Sequence, residues 1–458
     1  MMDIKQCVDS LSMPLPEDIL KRKWAGDLDG AIKAIDMRLT KPLPELLRAR
    51  LVCERERIRR LPTQYPWTKA QALEKLREIV PSVTEAQFDT WELEGRIDFI
   101  YISGEKRYFV RAHRSIAKHP ELVRLAGRIV NPQNEWLDPM IAEIKQKGSL
   151  SRRITMETSV YVDQEAFVPG TYLVHLPFPA ASAQQREILL LEGDPDGIGD
   201  PYAEARTAWW KRDVDAWREF SLKYSYVSTI RYADPLNQPA PVQPLYPDVP
   251  APADEDLAEC GAFMRFTPYL RNLADSLTRS CASNAEKAWK CYEFVTTKVD
   301  YAFMRDYFQI DHLNEYCAVN LRGDCGLQAL LFILLCRIAG IPARWQSGLA
   351  IDPGYSGSHD WAQFYLEGWG WLFADCSYGG SAYRYGNTER HHFYFGNIDP
   401  MRMAANRVFQ ADLTPEMHAL RVDPYDNQSG EIERLGADTP FTMRQLDGQC
   451  RLVAYETL

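Results

Sequence analysis

At 458 residues the chain is too long for one hydrophobic core, so two to four domains are expected. A hydrophobic content of 46% with 25% charged residues describes an ordinary soluble globular protein. The formal charge of −10 argues against a general nucleic-acid binder, because phosphate affinity needs clustered lysine and arginine.

The N-terminus lacks the apolar core of a secretory signal, and no run approaches the roughly 20 apolar residues of a membrane span. The longest apolar stretch, Leu327 to Leu335, has the length of a buried core helix. The ten cysteines form no C-x-x-C pair and no regular pattern, which points to reduced thiols in a cytoplasm rather than a disulfide framework or a zinc site. No metal and no cofactor is expected, and no nucleic-acid or membrane partner.

Residues 1–148 read as a helical domain. Pro16 to Leu39 and Pro44 to Leu61 carry helical periodicity with proline near their starts. Lys69 to Val80 is a short amphipathic run, and Thr84 with Gln87 makes a capping box for a helix ending at Gly95. The alternating stretch from Arg96 to Val110 turns at Ser103-Gly104 as a hairpin would. Helix, helix and hairpin outline a winged-helix-like unit at 65–112, and in so acidic a chain it is expected to pack or dock rather than bind DNA.

From 150 to 233 the period changes to two, in Ile154–Val162, Thr171–Leu176, Ile188–Leu191 and Trp217–Ser228, which suggests an antiparallel β domain of sandwich type. Here His175 reads as a satisfied core or edge histidine. Residues 234–254 hold seven prolines and form a semi-rigid linker. The remaining 255–458 is expected to be one domain. It opens with a capping box at Ser283 and a helical face of Ala285, Ala288, Trp289, Tyr292, Val295 and Val299, and it ends in a strand at Arg451 to Tyr455.

Three segments between Gly323 and Asp375 carry chemistry. Asp324 is a good N-cap type, which places Cys325 at the first position of an apolar helix. There, free backbone N–H groups and the helix dipole favour a thiolate and offer an oxyanion site. His359, Trp361, Gln363 and Tyr365 share one face of an alternating strand. The Gly368-Trp369-Gly370 turn returns the chain to Asp375. In such a hairpin His359 and Asp375 lie opposite, or within a residue or two, and facing Cβ atoms are about 5 Å apart. A thiol, an imidazole and a carboxylate that orients it are the parts of a thiol acyl-transfer site. Cys317 lacks the glycine-flanked helix start of Cys325 and is discounted as a nucleophile. The adjacent His391 and His392 would point apart on a strand and read as loop histidines rather than metal ligands.

Together, Gly323-Asp324-Cys325 with Ala329, Gly340-Ile341-Pro342-Ala343-Arg344, His359-Asp360-Trp361 and Gly370-Trp371-Leu372-Phe373-Ala374-Asp375 resemble the transglutaminase-like (transglutaminase/protease) superfamily, over roughly residues 280 to 380. The strands before them are similar to the β domain that precedes this core in bacterial members. The resemblance implies an α+β, papain-like core with catalytic Cys325, His359 and Asp375. Family members often have proline after the aspartate, where this chain has Cys376. No motif fixes a side-chain oxyanion donor; Tyr301, Trp289 and Asn320 are candidates, and Trp361 joins Tyr301 and Trp289 as a substrate-contact candidate. The expectation is a cysteine peptidase or amidase acting on a peptide, protein or peptidoglycan-type amide. An amine-accepting transglutaminase and a catalytically idle protein- or glycan-binding scaffold are the rival readings.

Overall fold

The computed structural model describes residues 4–127, 135–353, 355–437 and 439–458. The protein is α+β, with helical and sheet parts in several units.

In the N-terminal unit the expected first helix is two helices, Glu17–Trp24 and Leu28–Leu39. The break comes at Gly26, whose φ of +75° suits glycine, and at Asp27, whose side chain caps the second helix through Gly30 N. Helices Lys69–Ile79 and Glu85–Leu93 each start with a Thr/Gln capping box. The hairpin Phe99–Ile102 with Glu105–Tyr108 follows them.

Helix Glu45–Gln64 lies between this unit and the rest of the chain, and its buried residues include Arg50, Glu54, Arg57 and Arg60. Arg57 donates to Phe308 O and to Asp311, Arg60 to the carbonyls of Arg421 and Val422, and Gln64 exchanges two hydrogen bonds with Asp306. A polar helix face is therefore buried because each charge on it has a partner.

The middle region forms two four-stranded sheets. One orders Leu446–Thr457, Ser149–Val162, Phe220–Arg231 and Gln185–Glu192; the other orders Glu431–Arg434, Gly170–Pro177, Thr207–Val214 and Gly197–Ile198. Both sheets take an edge strand from the last 30 residues of the chain. The expectation of one continuous unit from 255 to 458 is revised accordingly, since the final strands complete the sheets of the β region. Edge positions explain why this is hard to read locally: the last strand is mostly exposed and carries little core pattern.

The proline-rich stretch is not free either. Leu245 N bonds Trp369 O, Tyr246 is buried, and Pro250 O accepts from Trp371 Nε1. Prolines have no N–H to leave unsatisfied, so such a strap can lie across a hairpin.

The core unit centres on helix Cys325–Ile338, in which every residue from Gly326 to Cys336 is buried. A helix apolar all round must be covered on all sides. A five-stranded antiparallel sheet covers one side, in the order Phe395–Gly396, Gly370–Ala374, Tyr355–Leu366, Ala343–Asp352 and Arg402–Asn406. Helix Asn284–Lys298 covers another. Phe332 meets Phe364 of the sheet at 5.7 Å and Tyr292 of that helix at 6.4 Å, both edge-to-face.

Candidate active site

Cys325 begins its helix, and the Asp324 side chain caps that helix by accepting from Leu327 N. Parallel pairing of Gly323 with Tyr301 brings the preceding helix's exit alongside the Cys325 turn. Gly326 allows a close approach here: a Cβ on it would meet Tyr307 Oη at 2.1 Å and Asp360 Oδ2 at 2.9 Å. Tyr307 Oη donates to Asp324 Oδ1 at 2.6 Å. Cys317 packs under Gly323, fully buried, and burial pushes its thiol up.

The half-buried Cys325 thiol donates to Asp360 Oδ2 at 3.1 Å. It makes no hydrogen bond to the His359 ring. Successive strand residues turn to opposite faces, and Asp360, Ala362 and Phe364 face the helix while His359 shares its face with Trp361. Burial, then the Asp360 and Asp324 carboxyls, push the Cys325 thiol well above its ordinary value. The expected thiolate from the helix dipole is outweighed, because a dipole contribution of about 1 kcal/mol is smaller than desolvation beside two acids.

His359 Nε2 bonds Asp375 Oδ2 at 2.8 Å. The strand register pairs Ala362 with Ala374, so Asp375, one residue past the strand, reaches His359 diagonally. Asp375 also caps helix Cys376–Arg384 by accepting from Tyr378 N at 2.9 Å, and it takes Arg402 Nη2 at 3.1 Å. Arg402 is buried, binds Asp399 as well, and stacks its guanidinium 4.2 Å from the Tyr378 ring centroid. Burial alone would raise the Asp375 carboxyl, but His359, Arg402 and the Tyr378 N–H hold it below the ordinary carboxylate range. The Tyr378 ring stands edge-on to the imidazole at 5.0 Å. Cys376, where proline was the expected type, is a buried thiol in the first turn of that helix.

The other candidates fall in different places. Tyr301 lies near the thiol, and its hydroxyl is pushed up by burial, then by Cys325 and Asp324. Trp361 is fully buried, donates to Gln346 Oε1 at 2.7 Å and lies parallel to the imidazole at 6.0 Å, so it backs the ring rather than facing a substrate. Trp289 packs on Tyr292, His391, His392 and Phe395 and lines a separate cleft of about 570 Å³. None of its ring contacts is with Cys325, His359 or Asp375. Asn320 bonds Tyr316 O at the end of its own helix.

His391 and His392 are on the short helix Thr388–Phe393, not a loop or strand. His391 is buried against Thr296 Oγ1 at 2.8 Å, and burial lowers its pKa to about 4. Among the described residues no group of three or more His, Cys, Asp or Glu could hold a metal ion. No described helix is long and apolar enough to cross a membrane.

Asp360, Asp426, Gln428, Tyr307 and Arg402 surround the candidate residues and were missed by motif reading. Asp360 was visible as the middle residue of His-Asp-Trp. Arg402 and Asp426 come from later segments with no local signal.

Residues 271–376 match the family model of the transglutaminase-like superfamily. A comparison with curated proteins gives no match. Among solved structures, a candidate cysteine protease from Cytophaga hutchinsonii is 14% identical, with 67% of this chain and 91% of that chain covered and a TM-score of 0.43. The periplasmic domain of TgpA from Pseudomonas aeruginosa is 15% identical, with 55% and 96% covered and a TM-score of 0.27. Over residues 271–376 this mixed helix-and-sheet, multidomain chain is similar to the core of the transglutaminase-like superfamily.

Proposed function

We propose that the protein is a cysteine-dependent acyl-transfer enzyme that hydrolyses a peptide or amide bond. Cys325 is the nucleophile, His359 moves protons as base and acid, and Asp375 orients the imidazole. The observation that carries this reading is that the thiol and the imidazole–carboxylate pair meet consecutive residues of one strand. The Asp375–His359 bond of 2.8 Å lies one residue along the strand from Asp360, whose carboxyl touches the Cys325 thiol. The family match over 271–376 supports the same chemistry.

In this mechanism the Cys325 S–H bond breaks as the sulfur attacks the carbonyl carbon, its proton passing to a neighbouring base of the site. The oxyanion is received by the free N–H groups at the start of the Cys325 helix. His359, held by Asp375, gives a proton to the departing amine. Neutral His359 then takes a proton from the water that resolves the thioester. An amine in place of that water would make the same site a transferase.

A cytoplasmic location fits the thiols. Cys7 neighbours Cys53 and Cys291 neighbours Cys336, and all four are free and buried.

The test is release of product from a library of peptides, isopeptides and muropeptides by the wild type and by Cys325→Ala. Turnover of at least one class should vanish in the variant with its fold kept. Equal turnover in the variant would refute the nucleophile, and no turnover by either protein on any class would favour a binding scaffold.

A further inference from the structure

The Cys325 thiol contacts a carboxyl that is itself one of a pair. Asp360 Oδ2 is 3.1 Å from the sulfur, while Asp360 Oδ1 accepts from Gln428 Nε2, which also holds His359 O at 3.0 Å. Behind Asp360 stands Asp426. Its Oδ1 accepts from Ser347 Oγ, Asn406 Nδ2 and Asn427 N, all within 2.9 Å, and its Oδ2 is buried with no donor.

The Asp360 and Asp426 side chains interact directly with each other. Two carboxylates cannot share a dry contact unless one proton lies between them. The groups facing the pair are Cys325, Asp324, Tyr301, Tyr307 and Asp423, with His359 next to Asp360 in the chain. Lys118 is a cation beside the thiol, its Nζ 4.7 Å from the Tyr301 ring centroid, so charge arriving on the sulfur meets a counter-charge.

We propose that Asp360, sharing one proton with Asp426, is a further catalytic residue and accepts the proton of Cys325. The proposal rests on Cys325 being the nucleophile. In the step, the S–H bond of Cys325 breaks, a new O–H bond forms at Asp360 Oδ2, and the electron pair stays on sulfur. The buried site carries one negative charge before and after, and the charge moves from the carboxyl pair to the sulfur. When the thioester is cleaved, the departing sulfur takes the same proton back. His359 is left to serve the leaving amine and the attacking water, which suits a ring bonded to Asp375 and not to the thiol.

The test is the pH dependence of iodoacetamide alkylation at Cys325 in the full chain, read by peptide mass mapping, which needs no substrate. If the proton stays inside the site, the wild-type rate is flat with pH through neutrality, while the pair holds one proton. Asp360→Asn removes the acceptor, so the thiol must release its proton to solvent. Its rate should then rise about tenfold per pH unit. A flat profile retained in Asp360→Asn overturns the proposal, as does a sloping wild-type profile.

Asp426→Asn keeps the acceptor but removes its like-charged partner. The flat region should persist, with its acid edge moved to lower pH. An unmoved edge overturns the pairing, and this variant carries the test if Asp360→Asn does not fold. Loss of turnover in Cys325→Ala is scored separately, so a failed nucleophile and a failed proton acceptor give different results.

Discussion

Asp375 and Asp360 are buried carboxyls at the two ends of one contact region, and their surroundings push them in opposite directions. Asp375 has an imidazole, a guanidinium and a helix-start N–H around it, and stays below its ordinary pKa despite burial. Asp360 has a thiol, two tyrosines and two more aspartates around it, and is pushed well above. Burial is common to both, so neighbours decide the sign. One side of the site sets a carboxylate against an imidazole, and the other sets a carboxyl against a thiol. A pair of titratable groups driven apart by environment is what acid–base chemistry near neutral pH requires.

The contrast can be broken most severely at Asp375. Asp375→Asn keeps the shape but removes the charge that holds His359, and should lower kcat by roughly 10⁴-fold, the size of effect known for amide replacement of a triad aspartate. Circular dichroism should find the fold unchanged, and a loss under tenfold would place the orienting role elsewhere.

Arg402→Met strips the cation shared by Asp375 and Asp399, leaving two buried carboxylates short of a partner. Denaturant unfolding should register a loss of about 3–5 kcal/mol. A loss below 1 kcal/mol would mean that His359 and Tyr394 suffice.

On the thiol side, Gly326→Ala drives a methyl into Tyr307 Oη, which a Cβ would meet at 2.1 Å. The expected cost is about 1–3 kcal/mol of stability, with faster solvent access to Cys325. An unchanged melting temperature would show that the Tyr307–Asp324 bond is not rigid.

The smallest effect is on pH-dependent stability. Burial raises Asp324 to about 6 and Asp426 to about 7. Raised acids stabilise the fold fully below their unfolded pKa near 4, and that contribution is lost as pH climbs through 6 and 7. Asp375, lowered in the fold, contributes above the same unfolded value and loses it in acid. The melting temperature should therefore fall from pH 5 to pH 8, and fall less in Asp426→Asn. Parallel curves for the two proteins would contradict the carboxyl pairing.

The sequence is most informative where the pattern is local. Helix Cys325–Ile338 announces itself by an apolar run behind an N-cap aspartate, and the His359 and Asp375 strands by alternation about a glycine turn. The capping boxes at Thr68 and Thr84 have the same quality, since both partners sit three residues apart.

What stayed hidden depends on distant partners. Arg57 and Arg60 look like a solvated helix face until carbonyls at 308, 421 and 422 arrive to receive them. Strands Glu431–Arg434 and Leu446–Thr457 are edge strands whose partners lie more than 250 residues upstream, and no local period points there. Strand Thr207–Val214 escaped because its face mixes Trp209 and Trp210 with Lys211 and Arg212. Asp360 stood in plain view, but its importance depends on Asp426, which folding alone brings to it. The winged-helix-like outline at 65–112 has its helices and hairpin; what it docks is set by helix Glu45–Gln64, which grips the loops carrying Tyr307 and leading to Asp426.

The most direct test of acyl transfer at this site is mass mapping after brief exposure to p-nitrophenyl acetate and acid quench. The account predicts one acetyl group on Cys325, cleared with time in the wild type and persistent in His359→Ala. An acetyl group settled on another cysteine, or none at Cys325 while p-nitrophenolate is released, would contradict it.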